Sequence, residues 1–241
     1  MSDLTPDEAF LTLYSDLNRE GPGAPADLGW ALSVAATPAQ ARIMDAGCGS
    51  GADTVTLAKE RPQAQIEAVD KIAQFVEAAQ KRTAPFGERV QVRQGDMAQL
   101  TGPYDLIWCA GALYFLGVTE GLNAWKPALA PGGAVAFSEP CLLPRPSDAA
   151  RAFWAEYPAI SDVAGIRARV HAAGYRVLGE QMQVGDAWEA YYIPMAKRIA
   201  KLRPEATGAL SDALDQAERE IARWRAAPSE IAYALMVVAP E

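Results

Sequence analysis

The stretch IMDAGCGSG, residues 43–51, places three glycines at alternate positions directly after a short apolar run. Such glycines permit a tight strand-to-helix turn in which the backbone approaches a ligand closely. Asp70 ends the next apolar run, and a carboxylate at that point can accept hydrogen bonds from ribose hydroxyl groups. Together the two features predict a site for a cofactor that contains adenosine.

Apolar runs alternate with helical patterns after this turn. The first strand ends at Asp45, and further strands are predicted at 65–69, 90–92, 104–109 and 134–138, with helices between them. This alternation implies right-handed crossovers and a doubly wound parallel sheet of the α/β class. Ligands of such sheets bind outside the carboxyl ends of the strands. The residues that fall at those ends are Asp45, Asp70, Asp96, Cys109 with Ala110, and Glu139.

The last third of the chain departs from this alternation. Ser161 is predicted to cap a helix that Gly174 ends, and strands follow at 175–178 and 231–238. The late pair completes a Rossmann-like, seven-stranded sheet with an antiparallel edge hairpin. Two amphipathic helices lie between them as an insertion over the ligand crevice. The apolar stripe 210–224 on the second helix could form a dimer interface.

Two helices are predicted before the glycine-rich strand. Thr5-Pro6-Asp7-Glu8 is typical of a capping box with proline at the first helical position, and Asp27 is expected to cap the second helix. One interpretation is a packing appendage. The other is a lid that covers a bound cofactor, with Tyr14 and Arg19 facing it.

Composition limits the function classes. The formal net charge of −8 disfavours nucleic acid and anionic membrane surfaces as partners, since both attract basic proteins. No run approaches the roughly 20 apolar residues of a membrane-spanning helix, and the N-terminus lacks a signal-peptide pattern. The three cysteines are widely spaced, which favours the reducing cytoplasm. We expect a cytoplasmic protein.

The glycine turn alone leaves two cofactors open. Gly47–Ala52 satisfies the loose dinucleotide pattern G-x-G-x-x-G/A, so an NAD-dependent oxidoreductase is one alternative. Asp45, two residues before the first glycine, can accept hydrogen bonds from a cationic amino-acid group, which favours a methyl donor. Residues 45–51 resemble motif I of class I S-adenosylmethionine-dependent methyltransferases. The resemblance continues in order through Asp70, 95–97, 104–108 and 129–133, and covers about residues 41–139.

Three further stretches, 19–23, 110–114 and 153–161, are similar to a group of small bacterial methyltransferases that act on small molecules. The Asn/Asp-Pro-Pro-Tyr signature of amino-methylating DNA enzymes is absent. The resemblance implies a single methyltransferase domain over 1–241, with a lid (1–40), a cofactor-binding core (41–140) and an acceptor-side cap with the last strands (141–241). A module that binds S-adenosylmethionine without catalysis stays open, because no base is obvious.

The resemblance also implies which residues hold S-adenosylmethionine. They are Tyr14, Arg19, Asp45, Gly47, Cys48, Gly49, Gly51, Asp70, Lys71, Asp96, Met97 and Ala110. Asp70 could instead cap the following helix, Asp96 could be a plain turn residue, and Met97 could fill the core.

A general base is needed only if the acceptor arrives protonated. Glu139 is the first candidate, because it is expected to end the fifth strand and face the crevice, and Tyr114 is the second. His171, the sole histidine, lies on the polar face of its helix and is interpreted as a surface residue. Trp188, Tyr191 and Tyr192 are candidates for an acceptor pocket, although their spacing suits core packing equally.

Cys48, Cys109 and Cys141 all fall at or just past strand ends. They are interpreted as small buried residues, since neither ligand-type spacing nor a histidine supports a metal. We expect no metal site.

Overall fold

A seven-stranded sheet forms the centre of the computed structural model, which describes residues 4–241. Its strands are β1 Arg42–Ala46, β2 Gln65–Asp70, β3 Val90–Gln94, β4 Tyr104–Cys109, β5 Leu129–Leu142, β6 Tyr175–Gln183 and β7 Ile231–Pro240. They lie in the order β3-β2-β1-β4-β5-β7-β6. The first five strands pair in parallel, whereas β7 runs antiparallel to both β5 and β6. The predicted sheet with its reversed edge hairpin is confirmed.

Helices cover both faces of the sheet and its carboxyl edge. They are α1 Pro6–Tyr14, α2 Pro25–Val34, α3 Ala52–Glu60, α4 Ala73–Thr83, α5 Val118–Trp125, α6 Asp148–Phe153, α7 Val163–Ala172, α8 Asp186–Leu202 and α9 Gly208–Ala226. As predicted, two helices precede β1, and α8 and α9 lie between β6 and β7. Across residues 4–241, none of these helices combines the length and apolar character needed to cross a membrane.

Each face of the sheet carries its own apolar cluster. Tyr104, Phe137 and Tyr175 pack with α5 and α7 on one face. Ile43 and Leu106 pack with α2 and α3 on the other. Parallel strands buried on both sides are rigid supports, so the loops at their carboxyl ends are held in fixed positions.

The helix starts were predicted in part. Thr5 forms the expected capping box with Glu8. The Thr5 backbone N–H donates to the Glu8 carboxylate, and the Glu8 backbone N–H donates to the Thr5 hydroxyl. Asp27 does not cap α2; it is the third helical residue, and its carboxylate accepts from the backbone N–H of Ala24 at 2.8 Å. Asp162, and not Ser161, caps α7 by accepting from Gly165.

The fifth strand is longer than predicted. It runs to Leu142 because β7 pairs with it as far as the pair Leu142–Ile231, and an antiparallel partner keeps the backbone extended. Glu139 therefore lies inside the strand and does not end it. The preceding helix, α5, ends at Trp125, and Pro127 lies in the 3₁₀ turn over 126–128 that follows it.

A third apolar cluster, here called the cap core, joins α1, α6, α8 and α9. Leu214, Ile221 and Trp224 of α9 are buried in it, against Trp188 and Tyr192 of α8. Much of the apolar stripe of α9 is thus buried within the chain, and the dimer interface that it could form stays a prediction.

Candidate functional site

The glycine turn after β1 has a backbone that only glycine adopts without strain. Gly47, Gly49 and Gly51 have φ angles of 75°, 53° and 86°. A Cβ atom at Gly49 would collide with the Glu20 carboxylate, and one at Gly51 would lie 2.9 Å from the Cβ atom of Ala79. The turn is therefore packed closely from the N-terminal segment on one side and from α4 on the other.

A cavity of about 690 Å³, here called the first cavity, opens at the carboxyl ends of β1, β2 and β4. Its volume is within the usual range for a cofactor pocket. Of the twelve residues predicted to bind cofactor, all except Gly51 line it: Tyr14, Arg19, Asp45, Gly47, Cys48, Gly49, Asp70, Lys71, Asp96, Met97 and Ala110. Gly51 lies behind the turn, as the N-cap of α3.

Asp70 joins β2 to the glycine turn. One carboxylate oxygen accepts from the backbone N–H of Gly49 at 2.9 Å, and the other accepts from Ile72 at 2.9 Å. Each oxygen can accept a second hydrogen bond. The carboxylate is thus fixed at the cavity wall with acceptor capacity left for a ligand.

Asp45 is a buried carboxyl group at the end of β1. The Thr54 hydroxyl donates to its Oδ2 atom at 2.6 Å. Burial raises the pKa of Asp45 to about 8, and the neighbouring charge of Asp53 adds to the effect. A cationic group bound beside Asp45 would favour its ionised form, so this end of the cavity is suited to a positively charged ligand.

The N-terminal segment 19–22 forms one wall of the first cavity. Arg19 donates to the carbonyl of Gly21 at 2.6 Å and lies 3.4 Å from Asp53, which also accepts from the indole N–H of Trp108. Glu20 accepts from the backbone N–H of Ser50 at 3.0 Å. Glu20, Asp53 and Trp108 were not predicted; adjacency to Arg19 and to the glycine turn was the available signal for the first two.

Two contacts fasten this segment. Arg82 of α4 donates to the carbonyls of Leu17 and Asn18 and to the hydroxyl of Ser50, at 2.6–2.8 Å. The hydroxyl groups of Tyr14 and Tyr191 lie 2.8 Å apart. The segment therefore contacts both the glycine turn and α8.

A second cavity, of about 510 Å³, adjoins the first. The two share wall residues at Tyr14, Glu20, Gly21, Pro22, Gly111 and Tyr114. Trp188, Tyr191 and Tyr192 line the second cavity, as predicted for acceptor binding, with Phe153, Trp154, Tyr157 and Tyr233. One polar face of α9 completes its wall through Gln216, Arg219, Glu220 and Arg223.

Comparison with known proteins assigns this architecture. Residues 43–133 match a family described as a methyltransferase domain. A trans-aconitate 2-methyltransferase of Paracidovorax citrulli is 32% identical over 173 residues, which are 67% of this chain and 65% of that protein. Residues 43–133 thus carry a methyltransferase domain, and the matches support the class I type that uses S-adenosylmethionine.

Further likenesses agree with this placement. A trans-aconitate 2-methyltransferase of Deinococcus radiodurans is 34% identical over 42% of this chain and 38% of its own length. The chain thus spans less than two thirds of these curated relatives. The crystal structure of a SAM-dependent methyltransferase from Geobacter sulfurreducens with S-adenosyl-L-homocysteine has a TM-score of 0.83 at 21% identity, with full coverage of both chains, which shows the shared fold.

The first cavity fits S-adenosylmethionine, the cofactor on which this family of domains depends. The glycine turn provides a backbone wall free of side chains, and Asp70 retains acceptor capacity beside it. Asp45 favours a cationic group, and the Glu20 Oε1 atom is buried without a hydrogen-bond partner among the described residues. The NAD alternative that Gly47–Ala52 left open is set aside by the family match.

The two predicted bases of the methyltransferase are placed differently. Tyr114 lies on the wall shared by both cavities, but burial raises its pKa to about 12, which makes it a poor proton acceptor at neutral pH. Glu139 lines neither cavity. It is buried on the β5 face that packs on α7, where its Oε1 atom accepts from Tyr157 at 2.7 Å and lies 3.8 Å from Arg169. The expectation that Glu139 faces the crevice is wrong.

Of the three cysteines and the single histidine, only Cys48 lines a cavity. Cys48 lines the first cavity, whereas Cys109 and Cys141 are buried in the core. In the described part of the chain, no group of three or more His, Cys, Asp or Glu side chains is arranged to hold a metal ion. His171 is exposed on α7, 3.8 Å from Glu241, and lines neither cavity.

Proposed function

We propose that this protein transfers a methyl group from S-adenosylmethionine in the first cavity to a small-molecule acceptor in the second. The observation that carries the proposal is the wall that the two cavities share at Tyr14, Gly111 and Tyr114. Because the two cavities adjoin at these residues, the reacting atom of an acceptor in the second cavity would lie next to the cofactor in the first. S-adenosylmethionine supplies both the methyl group and a neutral leaving group when it is bound.

The roles of the residues in the first cavity follow from their chemistry. Asp70 would accept hydrogen bonds from the ribose hydroxyl groups, and Asp96 and Met97 would contact the adenine. Arg19 and Asp45 would hold the charged amino-acid portion against the glycine turn. Lys71, Cys48 and Ala110 would complete the wall. All of these positions lie on the cavity surface.

The work of this chain is alignment and exclusion of water. Holding two reactants in line can contribute up to roughly 7–11 kcal/mol in the best cases. The cap core covers the second cavity, and Tyr14 couples α1 to α8 through Tyr191. We propose accordingly that residues 1–40 act as a lid, 41–140 as the cofactor-binding core and 141–241 as the acceptor-side cap of one domain.

A small acceptor is supported by charge and by size. The net charge of −8 opposes nucleic acid. A cavity of about 510 Å³ lined by aromatic side chains suits a molecule of metabolite size. The relatives named for trans-aconitate act on a small molecule by name. The cytoplasm is the proposed location, in keeping with three free, buried cysteines.

Calorimetry with S-adenosylmethionine and S-adenosylhomocysteine tests the proposal. We expect both to bind, and Asp70→Ala to weaken binding by at least tenfold because it removes a charged acceptor. Asp105→Ala is the matched control, since Asp105 accepts from the Arg42 backbone outside both cavities. Absence of binding at high micromolar ligand would contradict the proposal. Binding without methyl transfer across a broad metabolite panel would favour the module without catalysis.

A further inference from the structure

The charged wall of the second cavity belongs to α9. Gln216 lies three and four positions before Arg219 and Glu220, and Arg223 lies four and three positions after them, so the four residues lie on one side of the helix. The other walls are mainly aromatic side chains, with the carboxylates of Glu20 and Glu156 among them. The α9 face therefore offers polar contacts to an acceptor, and the rings offer contacts to its apolar groups.

One pair of opposite charges lines the second cavity. Arg223 donates to Glu156 at 3.2 Å, and both residues line the cavity. Glu220 has a different partner, because its Oε1 atom accepts from the Tyr192 hydroxyl at 2.7 Å. Glu220 thus presents to the cavity a carboxylate whose hydrogen bond comes from a neutral hydroxyl group.

The Glu220 carboxylate lies among tyrosines. Burial raises the pKa of five tyrosine hydroxyls, and the negative charge of Glu220 contributes to the shift in each: Tyr14, Tyr114, Tyr191, Tyr192 and Tyr233. Burial also raises the pKa of Glu220 itself. Glu220, Tyr14 and Tyr114 all line the second cavity, and the two tyrosines also belong to the wall shared with the first cavity.

We propose that Glu220 is a catalytic residue that binds the methyl acceptor and receives its proton, and that the acceptor is an amine which enters as an ammonium cation. This rests on the proposed methyl transfer. A carboxylate attracts the ammonium group, and tyrosine rings bind cations through their faces. An alcohol would use the carboxylate but would gain little from the rings.

The reaction balances in two steps. An N–H bond of the ammonium breaks, its electron pair stays on nitrogen, and the proton forms an O–H bond with the Glu220 carboxylate. The nitrogen then uses that pair to form the N–C bond while the S–C bond breaks and its pair stays on sulfur. The product is the methylated ammonium, and Glu220 returns its proton to solvent through the open cavity.

Three probes with the same ring test the inference: benzyltrimethylammonium, benzyl alcohol and benzoate. Their affinities are measured by calorimetry with protein saturated with S-adenosylhomocysteine. We expect the cation to bind at least tenfold more tightly than the alcohol, and Glu220→Gln to abolish the difference. Glu218→Gln is the matched control, because Glu218 lies on the same helix, pairs with Arg203 and lines neither cavity. N-methylbenzylamine and benzyl alcohol then serve as acceptors, with only the amine expected to yield S-adenosylhomocysteine.

Benzoate as the tightest probe would overturn the inference and point to Arg219. Equal affinity of cation and alcohol for the wild-type protein would also overturn it. This comparison does not depend on whether a variant folds. If S-adenosylhomocysteine itself fails to bind, the proposed function fails instead. The two failures are therefore distinguishable.

Discussion

The two cavities are built in different ways. The first is centred on a backbone feature, a turn of three glycines with left-handed φ angles, beside a carboxylate fixed by two backbone N–H groups. The second is formed by side chains of α1, α6, α8, α9 and β7, which also make up the cap core. A backbone site depends on a few adjacent positions, whereas a side-chain site depends on packing across the chain. Mutations in the two regions should therefore fail in different ways.

The largest expected effect is on stability, from Trp188→Ala. Trp188 is 2% exposed and its indole donates to the carbonyl of Gln183 at 3.0 Å. Truncating a buried tryptophan costs roughly 3–5 kcal/mol in the free energy of unfolding, which urea titration will measure. S-adenosylhomocysteine affinity of the folded protein should change less than threefold. Phe115→Ala removes an aromatic ring that is 73% exposed and should change stability by no more than about 0.5 kcal/mol.

Gly49→Ala should instead weaken ligand binding more than it lowers stability. The added methyl group collides with the Glu20 carboxylate at a φ of 53°, so the turn must shift. We expect the affinity for S-adenosylhomocysteine to fall about 100-fold, or about 2.7 kcal/mol. Gly87→Ala has a similar φ of 61° but open space around it and lines neither cavity. If both variants bind the ligand equally weakly, strain alone explains the loss and close approach does not.

A pH series sharpens the description of Asp45. Its pKa is about 8 in the folded protein and near 4 in the unfolded chain. Between these values the folded state holds a proton that the unfolded state lacks, so stability without ligand falls as pH rises, by up to about 1.4 kcal/mol per pH unit. Asp45→Asn cannot ionise and should lose this contribution. A wild-type-minus-variant stability difference that is constant from pH 5 to pH 8 would contradict the burial argument.

The smallest expected effect concerns the contact that links the two regions. The Tyr14 and Tyr191 hydroxyls, 2.8 Å apart, should couple by about 0.5–1.5 kcal/mol. A double-mutant cycle of Tyr14→Phe and Tyr191→Phe, read by urea unfolding, isolates that coupling. Additive effects of the two substitutions would mean that the hydroxyls do not fasten α1 to α8.

The first region was largely predictable from sequence because its signals are local. Short-range patterns mark residues 43–51, Asp70 and the ends of the strands. The carboxyl ends of these strands meet at one sheet edge, where the first cavity opens. The second region was predictable only in its aromatic residues. Glu220 belongs to no motif, so only the fold brings it beside Tyr192.

Glu139 shows the limit of reasoning from strand ends. Its position after an apolar run suggested a crevice residue, but β7 extends β5 beyond it, and the alternation of the strand directs its side chain to α7. Pairing with a strand about ninety residues later carries no local signal. The predicted helix caps were misplaced by one to three residues, since Ala24 and not Asp27 is the N-cap of α2, and Asp162 and not Ser161 is that of α7.

A crystal structure with bound S-adenosylhomocysteine tests the division of labour most directly. We expect the ligand to lie in the first cavity, with its ribose hydroxyl groups within hydrogen-bond distance of Asp70. Its sulfur should face the wall shared at Tyr14 and Tyr114, and the second cavity should stay free for the acceptor. Ligand bound among Trp188, Tyr191 and Tyr192, with the glycine turn uncontacted, would contradict the account.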